Sequence, residues 1–194
     1  MEAFETVELS TDLLIVGGGM AACGAAWEAS YWAKKNNLSV LMVDKAAVDR
    51  SGAVAMGLSA INTYIGAGKG ENSPEDFVSY VQNDQMGTVR EDLVYDIARH
   101  VDSSVHLFEK WGLPIWKDAE GNYQRAGRWQ IMINGESYKV IVAEAAKNAL
   151  GVDNIIERLF IVKLMTDAND PSRIAGAAGF SVRENKVYFI KAKA

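Results

Sequence analysis

The sequence predicts an α/β protein with a parallel sheet, a helical insertion and an antiparallel β-meander. Three observations indicate this fold class. A short apolar stretch runs directly into three glycines, a helix rich in small residues follows, and a second apolar stretch ends in a carboxylate. Towards the end of the chain the hydrophobic pattern changes to the short periods of strands. The 194 residues, 49% of them hydrophobic, are enough to bury a core.

The first predicted unit is a strand, a turn, a helix and a second strand. Residues 11–16 form the first strand, residues 20–35 form the helix, and residues 39–43 form the second strand, with Asp44 at its carboxyl end. Alanines recur at helical spacing along the helix, so one of its faces can lie close to a sheet. This order predicts a Rossmann-like βαβ unit with a right-handed crossover.

The middle of the chain predicts a loop and then helices. Residues 50–62 are rich in glycine and alanine and carry few charges, which indicates a packed loop. Ser73, with Pro74 in the next position, marks the start of one helix. Thr88, with Glu91 three residues later, forms a capping box for a second helix that should continue towards residue 111. We interpret these helices as an insertion.

The last part of the chain predicts one more helix and then strands. Residues 137–150 have the pattern of a helix, which Gly151 should close. Residues 157–165, 173–182 and 186–190 are strand-like and are separated by two short polar turns. Three neighbouring strands joined by short turns predict an antiparallel meander.

Charge and composition exclude several functions. The 20 basic and 25 acidic residues give a net charge of -5, which disfavours nucleic acid and anionic membranes as partners. Cys23 is the only cysteine and there are two histidines, so we expect neither a disulfide nor a metal site. The chain has no apolar run near the ~18 residues of a membrane span and no targeting signal at residues 1–11. These observations predict a soluble cytoplasmic protein.

The glycine turn predicts a dinucleotide site. Gly17 permits a tight turn, Gly19 lets the main chain approach a pyrophosphate, and Ala22 keeps the helix close to the strand. The helix start offers N–H groups and a partial positive charge to phosphates, and Asp44 can accept hydrogen bonds from ribose hydroxyls. The alternative is that the glycines serve only a tight turn. These residues alone do not decide between FAD and NAD.

Residues further along the chain carry a family resemblance. Residues 44–64, which include Arg50-Ser-Gly-Ala-Val-Ala-Met-Gly, resemble the flavin-wrapping loop of the fumarate reductase and succinate dehydrogenase flavoproteins. Within that superfamily, residues 106–116 and 128–139 are similar to the alpha subunits of dissimilatory adenylylsulfate (APS) reductases. The resemblance implies that residues 1–194 are the N-terminal part of a truncated FAD-binding domain. It also implies that the capping domain, with the family's catalytic arginine and histidine, lies beyond residue 194.

The resemblance further implies which residues contact FAD. They belong to the pyrophosphate turn, the adenosine-ribose region, the loop that reaches the phosphates and the flavin, and a strand whose main chain meets the adenine. In that order they are Gly17, Gly18, Gly19 and Ala22; Asp44 and Lys45; Ser51 and Gly52; and Phe160 and Ile161. Core packing explains the side chains of the last two equally well. Because Gly52 stands where succinate dehydrogenases carry a flavin-linked histidine, we expect noncovalent FAD.

Asn62 is the one candidate catalytic residue. It matches an asparagine that the family places near the flavin and the substrate, where a neutral donor and acceptor can position either group. The alternative is a cap within its loop. Asn134 stands where we expected a histidine, and it is assigned no role.

The activity implied by the resemblance is that of an FAD-dependent oxidoreductase in dissimilatory sulfur metabolism. It interconverts APS with AMP and sulfite through an adduct of sulfite with flavin N5. The resemblance also implies that electrons pass through an iron–sulfur beta subunit. This chain, with Cys23 alone, cannot ligate a four-iron cluster itself. Two alternatives are an FAD-binding fragment without turnover of its own and a flavoprotein of the fumarate reductase or aspartate oxidase type. The fragment in isolation is expected to be inactive.

Overall fold

The structure is a computed structural model that describes residues 4–66 and 72–194. Within these ranges the strands are β1 (Glu5–Thr11), β2 (Leu13–Val16), β3 (Val40–Val43), β4 (Ala60–Ile61), β5 (Ile131–Met132), β6 (Ile155–Ile156), β7 (Leu159–Thr166), β8 (Ile174–Ser181) and β9 (Lys186–Ala192). The helices are α1 (Met20–Asn36), α2 (Pro74–Asp84), α3 (Glu91–Lys110) and α4 (Gly135–Leu150). The chain divides into two compact units. One contains the residues up to Met56 and those from Val142 onward, and the other is Gly57–Ile141.

The first unit contains the predicted βαβ arrangement. β2 and β3 are parallel, with Leu13 opposite Val40, and β6 lies parallel to β3 on its other side. α1 connects β2 to β3. The side chains that α1 buries are small and recur at helical spacing: Cys23, Ala26, Ser30 and Ala33. The predicted α/β fold with a parallel sheet is therefore confirmed.

α1 ends at the predicted place. Asn37 follows the last helical residue and adopts the left-handed conformation, with φ 53° and ψ 45°. Its N–H donates to the carbonyl oxygen of Ala33, which satisfies one of the last helical carbonyls. Lys34 and Lys35 lie in the last turn, where positive charge is favourable.

The predicted meander is also present, as part of a four-stranded sheet. β7, β8 and β9 are antiparallel neighbours, and β1 pairs in parallel with β9, so that Glu5 lies opposite Lys186. β1 lies outside the elements predicted from the sequence, and the predicted strand at residues 11–16 begins only at Leu13. Charged residues such as Glu8 occupy the exposed face of β1, while Leu9 and Thr11 are less exposed. Because of these acids, the short alternation of exposed and less exposed residues in β1 did not indicate a strand in the sequence.

The core of the first unit joins the two sheets. Val43 of β3, Leu159 of β7 and Ile190 of β9 are each 1% exposed or less and form one cluster. Partly buried side chains pack against it: Leu9, Leu14, Leu41, Ile156, Ile161 and Tyr188. The cluster fixes the carboxyl end of β3 relative to the start of β7, and this is where Asp44 lies.

The second unit contains the predicted helices. α2 begins as predicted, because the Ser73 hydroxyl accepts from the Asp76 N–H at 3.1 Å, and the Asp76 carboxylate accepts from the Ser73 N–H at 3.1 Å. Phe77 of α2 is buried and lies edge-on to Trp129, with 5.1 Å between the ring centroids. β4 and β5 form a short antiparallel pair in this unit.

The predicted capping box at Thr88 is wrong. Arg90 occupies the N-cap position of α3 without a side-chain capping bond, and the Thr88 N–H donates to the Gln85 carbonyl at 2.9 Å. Gly87, with φ 79°, belongs to the same turn. The chain is still reversing direction after α2 at residue 88, so Thr88 stands two residues too early to cap the next helix.

α4 begins two residues before its predicted start. The Asn134 side-chain oxygen accepts from the Glu136 N–H at 3.2 Å, and the Asn134 carbonyl accepts from the Ser137 hydroxyl at 3.2 Å. Asn134, to which we assigned no role, therefore stabilises the start of this helix. Gly151 follows α4 with φ 88°, as predicted.

In the part of the chain that the structure describes, no helix combines the length and apolar character needed to cross a membrane.

Candidate cofactor site

The turn between β2 and α1 has the predicted form. The Gly17 N–H donates to the Val43 carbonyl at 2.7 Å, and Gly17 has φ 119°, a value that L side chains rarely adopt. A Cβ at Gly17 would lie 3.9 Å from the Ala22 Cβ, in ordinary contact. Gly17 is therefore required for its backbone conformation, and the small side chain of Ala22 fits the close approach of helix and turn.

Gly18 makes room for Asp44. A Cβ at Gly18 would lie 2.7 Å from the Asp44 Cγ, closer than real carbon atoms approach. The resemblance gave Gly18 as a match without a physical reason, and the structure supplies one. A glycine at this position lets the carboxylate of the next strand lie against the turn.

α1 begins at a residue that has no side chain. Gly19 is its N-cap residue, with φ -72° and ψ -176°, and the first turn, Met-Ala-Ala-Cys, contains no acid. The first helical hydrogen bond runs from the Cys23 N–H to the Gly19 carbonyl at 3.0 Å. The positive end of the helix dipole is thus left for an anion rather than for a capping carboxylate.

The loop after β3 returns to this helix start. A 3-10 turn, Val48–Arg50, leads to Ser51 and Gly52. Gly52 has φ 82°, and a Cβ there would lie 2.8 Å from the Gly19 Cα. The two glycine main chains therefore touch, and residue 52 has no room for a side chain, including a histidine.

Asp44 is held by this loop. It is 6% exposed, and its Oδ2 accepts from the Ser51 hydroxyl and from the Ala46 N–H, the latter at 3.1 Å. The Ser51 hydroxyl also lies 3.1 Å from the Ala47 carbonyl oxygen. Among the described residues both side-chain bonds to Asp44 fall on Oδ2, which leaves its Oδ1 to accept from a ligand. The structure places Ser51 beside the acid, and the phosphate contact expected of Ser51 stays a prediction.

The chain matches a known protein family over most of its length. A family described as "FAD binding domain" matches residues 12–192. The chain belongs to the FAD binding domain family. The cofactor is therefore FAD, which settles the choice between FAD and NAD that the glycine turn left open.

Relatives of known name agree with this assignment. The chain is 59% identical, over 97% of its length, to a protein named "Adenylylsulfate reductase subunit alpha" from Megalodesulfovibrio gigas, and spans 31% of that protein. Two solved structures match with a TM-score of 0.93 and 63% identity, covering 98% of this chain and 30% of theirs. One is an adenylylsulfate reductase from Archaeoglobus fulgidus, and the other is named "adenosine-5-phosphosulfate reductase in complex with sulfite (covalent adduct)".

A more distant match shows the fold alone. A quinol fumarate reductase from E. coli matches with a TM-score of 0.73 at 18% identity, covering 97% of this chain and 32% of that one. The fold of the FAD binding domain is thus shared well beyond the APS reductases. The chain is 59% identical to the adenylylsulfate reductase subunit but 18% identical to this fumarate reductase, so sequence identity distinguishes the two kinds of relative where the fold does not.

The residues of the FAD binding domain fit the cofactor's phosphates. Backbone conformation or close contact excludes side chains at Gly17, Gly18 and Gly52. A Cβ at Gly19 would lie 3.6 Å from the Gly52 Cα. The helix start adds main-chain donors and a partial positive charge. A narrow cradle of this kind suits a pyrophosphate, which needs donors without steric bulk.

Lys45 and Phe160 are brought together. The Lys45 Nζ lies 5.8 Å from the centroid of the Phe160 ring, within cation–π range. Phe160 also packs edge-on against Phe180, with 5.6 Å between centroids, and is 40% exposed. The residues expected at the ribose and at the adenine are therefore neighbours in the structure.

The register of β7 distinguishes Phe160 from Ile161. The Val182 N–H donates to the Arg158 carbonyl, and a Cβ at Gly179 would lie 2.4 Å from the Phe160 carbonyl oxygen. The main-chain N–H and C=O groups of every second residue of β7, including Phe160, therefore point towards β8. Ile161 has the opposite orientation and presents its N–H and C=O at the edge of the sheet that β7 forms. An adenine contact through the main chain thus suits Ile161, whereas the Phe160 carbonyl is turned towards β8.

Asn62 belongs to the second unit and is described there by itself. It is exposed, and its side-chain oxygen accepts from the Thr63 N–H at 3.0 Å. Thr63 has φ 84°, a strained conformation for a β-branched residue. The side chain therefore makes the loop cap that we gave as the alternative, and a role at the flavin stays a prediction.

The residues that follow Asn62 are fixed by two charged side chains. The Asp102 carboxylate accepts from the N–H groups of Ile65 and Gly66 at 2.9 and 3.0 Å. Arg125 donates to the carbonyls of Tyr64 and Ile65 at 3.3 and 3.2 Å. No sequence pattern indicated these contacts, because they join positions 36 to 61 residues apart.

The described residues contain no group of three or more His, Cys, Asp or Glu side chains placed to hold a metal ion.

Proposed function

We propose that this chain is the FAD-holding part of an APS reductase alpha subunit, an oxidoreductase that interconverts APS with AMP and sulfite. The observation that carries the proposal is the 59% identity to an adenylylsulfate reductase subunit alpha over 97% of the chain. The TM-score of 0.93 to a reductase solved with sulfite adds support. Because the chain spans 31% of that relative, the activity, substrates and partner belong to the proposal.

FAD, when bound, supplies the two-electron chemistry that sulfur reduction or oxidation needs. The chain's own residues bind and orient it. The main chain of residues 17–19 and the start of α1 hold the pyrophosphate, Asp44 accepts from the adenosine ribose, and Ile161 meets the adenine edge. Asn62, which is neutral, positions the flavin edge or the substrate without moving a proton.

The binding mode in this proposal is noncovalent. The Cβ of any side chain at residue 52 would lie 2.8 Å from the Gly19 Cα. This lack of space for a flavin-linked side chain supports noncovalent binding. A covalently linked flavin would need a nucleophilic side chain at that position or elsewhere. Trichloroacetic acid precipitation tests this directly, since noncovalent FAD remains in the supernatant and covalent FAD stays with the pellet.

The partner in this proposal is an iron–sulfur beta subunit. The observation that supports it is the name of the relative, which is an alpha subunit. The single cysteine of this chain, Cys23, is 1% exposed within α1. One buried thiol cannot hold a cluster. A cytoplasmic location, expected from the composition, stays a prediction.

The absorbance spectrum of the purified protein tests the proposal. We expect a bound-flavin spectrum from the isolated chain. We expect that spectrum to bleach on addition of sulfite and AMP when the chain is part of a whole alpha subunit assembled with its beta subunit. Bound flavin with no bleaching would favour the second candidate, an FAD-binding fragment without turnover, which the 31% coverage supports. Bleaching or turnover with fumarate or aspartate instead of sulfite would overturn the APS assignment.

A further inference from the structure

We propose that Lys147 and Glu157 are positioning residues for FAD. They hold the 3-10 turn Val48–Arg50 from two separate elements, and thereby keep Gly52 against the start of α1. The inference rests on the FAD site described above, and it adds two residues that lie outside the cofactor's contact surface. We name this pair of attachments the loop clamp.

The first attachment is an ion pair between α4 and the turn. The Lys147 Nζ lies 2.6 Å from the Asp49 Oδ1 and 3.2 Å from the Glu144 Oε1. The Lys147 side chain is 20% exposed and that of Asp49 is 38% exposed, so the pair is partly shielded from water. Burial acts to lower the pKa of Lys147, but the hydrogen bonds to Asp49 and Glu144 raise it above its ordinary value. Lys147 therefore stays charged, and the ion pair is maintained, at physiological pH.

The second attachment is a hydrogen bond from the turn to the segment between β6 and β7. The Val48 N–H donates to the Glu157 Oε1 at 2.7 Å, and the Val48 side chain is fully buried. A buried N–H without an acceptor destabilises the fold, so Glu157 fixes where this residue lies. The next residue, Arg158, adds a main-chain bond from its N–H to the Ala46 carbonyl at 3.3 Å.

The turn transmits this placement to the cofactor site. The Ser51 N–H donates to the Val48 carbonyl at 3.4 Å, and the Ser51 hydroxyl reaches both Ala47 and Asp44. Gly52 follows directly and touches Gly19. A turn that is free to move would carry Gly52 away from the helix start and would release Asp44. A loop held in its binding conformation before the ligand arrives binds more tightly, because less ordering accompanies binding.

FAD affinity, measured by flavin fluorescence quenching on the flavin-stripped intact protein, tests the ion pair. Lys147→Met removes the charge at similar length, and we expect the Kd for FAD to rise about fivefold. Asp49→Asn should have the same effect, and the double variant should be no worse than either one. Lys147→Arg keeps the charge and should bind FAD within about twofold of wild type.

Glu144→Gln is the matched control. Glu144 is the other acid that contacts Lys147, but it lies on α4 with Lys147, and within the described part of the chain its carboxylate bonds to Lys147 and not to the turn. Its removal should change the unfolding midpoint about as much as Asp49→Asn does, and leave the Kd unchanged. A Kd that rises equally in Glu144→Gln and Asp49→Asn would show that stability alone is responsible, and would overturn the proposal.

Amide hydrogen exchange of the FAD-free protein gives a second, independent measurement. We expect the amides of residues 48–52 to exchange faster in Lys147→Met and in Glu157→Ala, while residues 13–16 keep wild-type rates. Glu157→Gln retains an acceptor oxygen for the Val48 N–H and should resemble wild type. Unchanged exchange at residues 48–52 in both variants would overturn the loop clamp. Failure of the wild-type protein to bind FAD would refute the FAD site itself, which the exchange rates do not depend on.

Discussion

Gly52 lies where two main-chain segments touch, and it shows how little freedom the cofactor site leaves to single residues. Its Cβ position is 2.8 Å from the Gly19 Cα, and its φ of 82° disfavours any L side chain. Glycine is required here for two separate reasons, one steric and one conformational. The family resemblance placed Gly52 in the loop that reaches the phosphates and the flavin, at the position of a histidine in relatives, but its contact with Gly19 became visible only in the structure.

Gly52→Ala should reduce FAD affinity by at least about tenfold, because the methyl group pushes the loop off the start of α1. Gly121→Ala is the matched control, since Gly121 has φ 83° but its Cβ position has nothing within 4 Å. Both variants carry the same conformational strain, of order 1 kcal/mol. Fluorescence titration with FAD would contradict the steric argument if both variants lost affinity equally.

The contact of Asp12 with Lys193 and Ser39 should depend on pH. The Lys193 ammonium, together with the Ser39 N–H and hydroxyl, lowers the pKa of Asp12 to about 2. A carboxylate with a lowered pKa contributes stability above its unfolded pKa, and loses it as the pH falls through the folded value. The contribution of Asp12 should therefore be complete above about pH 4 and disappear towards pH 2.

Urea unfolding of wild type and Asp12→Asn at pH 7, 4, 3 and 2 measures this effect. We expect wild type to be the more stable at pH 7, and the difference to shrink between pH 4 and pH 2. Lys193→Met removes the first cause of the shift and should move the loss to higher pH. A difference between wild type and Asp12→Asn that is constant over this range would show that the Asp12 contact is not electrostatic.

At the scale of elements, α2 shows a helix whose start the sequence specifies fully. Ser73 and Asp76 form a reciprocal capping box, and Pro74 occupies the first helical position. Thr88 offered the same residue types before α3, but the turn after α2 extends to residue 88 and places the cap at Arg90. A capping pattern specifies a helix start only when the preceding turn is complete, and turn length is set by the packing of both helices.

Ser73→Ala should destabilise the protein by about 1 kcal/mol, because the Asp76 N–H loses its acceptor at the helix start. Ser79→Ala, in an exposed position within the same helix, should be neutral or slightly stabilising, because alanine has the higher helix propensity. Thr88→Ala should also be near neutral. Chemical denaturation of the three variants measures their free energies of unfolding. Equal losses of stability in Ser73→Ala and Thr88→Ala would contradict the observed helix starts.

The strands differ in how far the sequence predicts them. β2 and β3 are continuous apolar runs next to the glycine turn and an acid, so their pattern is unambiguous. β1 places the exposed Glu8 and Ser10 between less exposed residues, and its partner, β9, lies in a distant part of the sequence. Its pairing depends on the completed sheet, and no local pattern specifies a parallel partner. For the same reason the contacts of Lys147 and Glu157 with the 3-10 turn could not be predicted.

At the scale of the whole molecule, the net charge of -5 agrees with the way the phosphates are bound. The residues proposed to hold the pyrophosphate are glycines and a helix start, without lysine or arginine. Hydrogen bonds from the main chain and a helix dipole act at short range, and salt screens them less than it screens exposed charges. An acidic protein can therefore bind a dianionic group through its backbone.

The FAD affinity should accordingly depend weakly on salt. We expect the Kd to change by less than about threefold between 50 and 500 mM NaCl, because few exposed ion pairs form on binding. Fluorescence titration over this range, with potassium fluoride as a second salt to control for specific chloride effects, measures the dependence. A tenfold or larger weakening would show that basic side chains hold the phosphates.

The parallel pairing of β1 with β9 has a consequence for synthesis of the chain. The two strands are separated by about 180 residues. At translation rates of roughly 5 to 20 residues per second, β1 leaves the ribosome about 10 to 40 s before its partner exists. During that interval its backbone donors and acceptors form an unprotected edge, available to chaperones or to another nascent chain. Two exposed acids of β1, Glu5 and Glu8, make that edge less prone to self-association while the rest of the sheet is made.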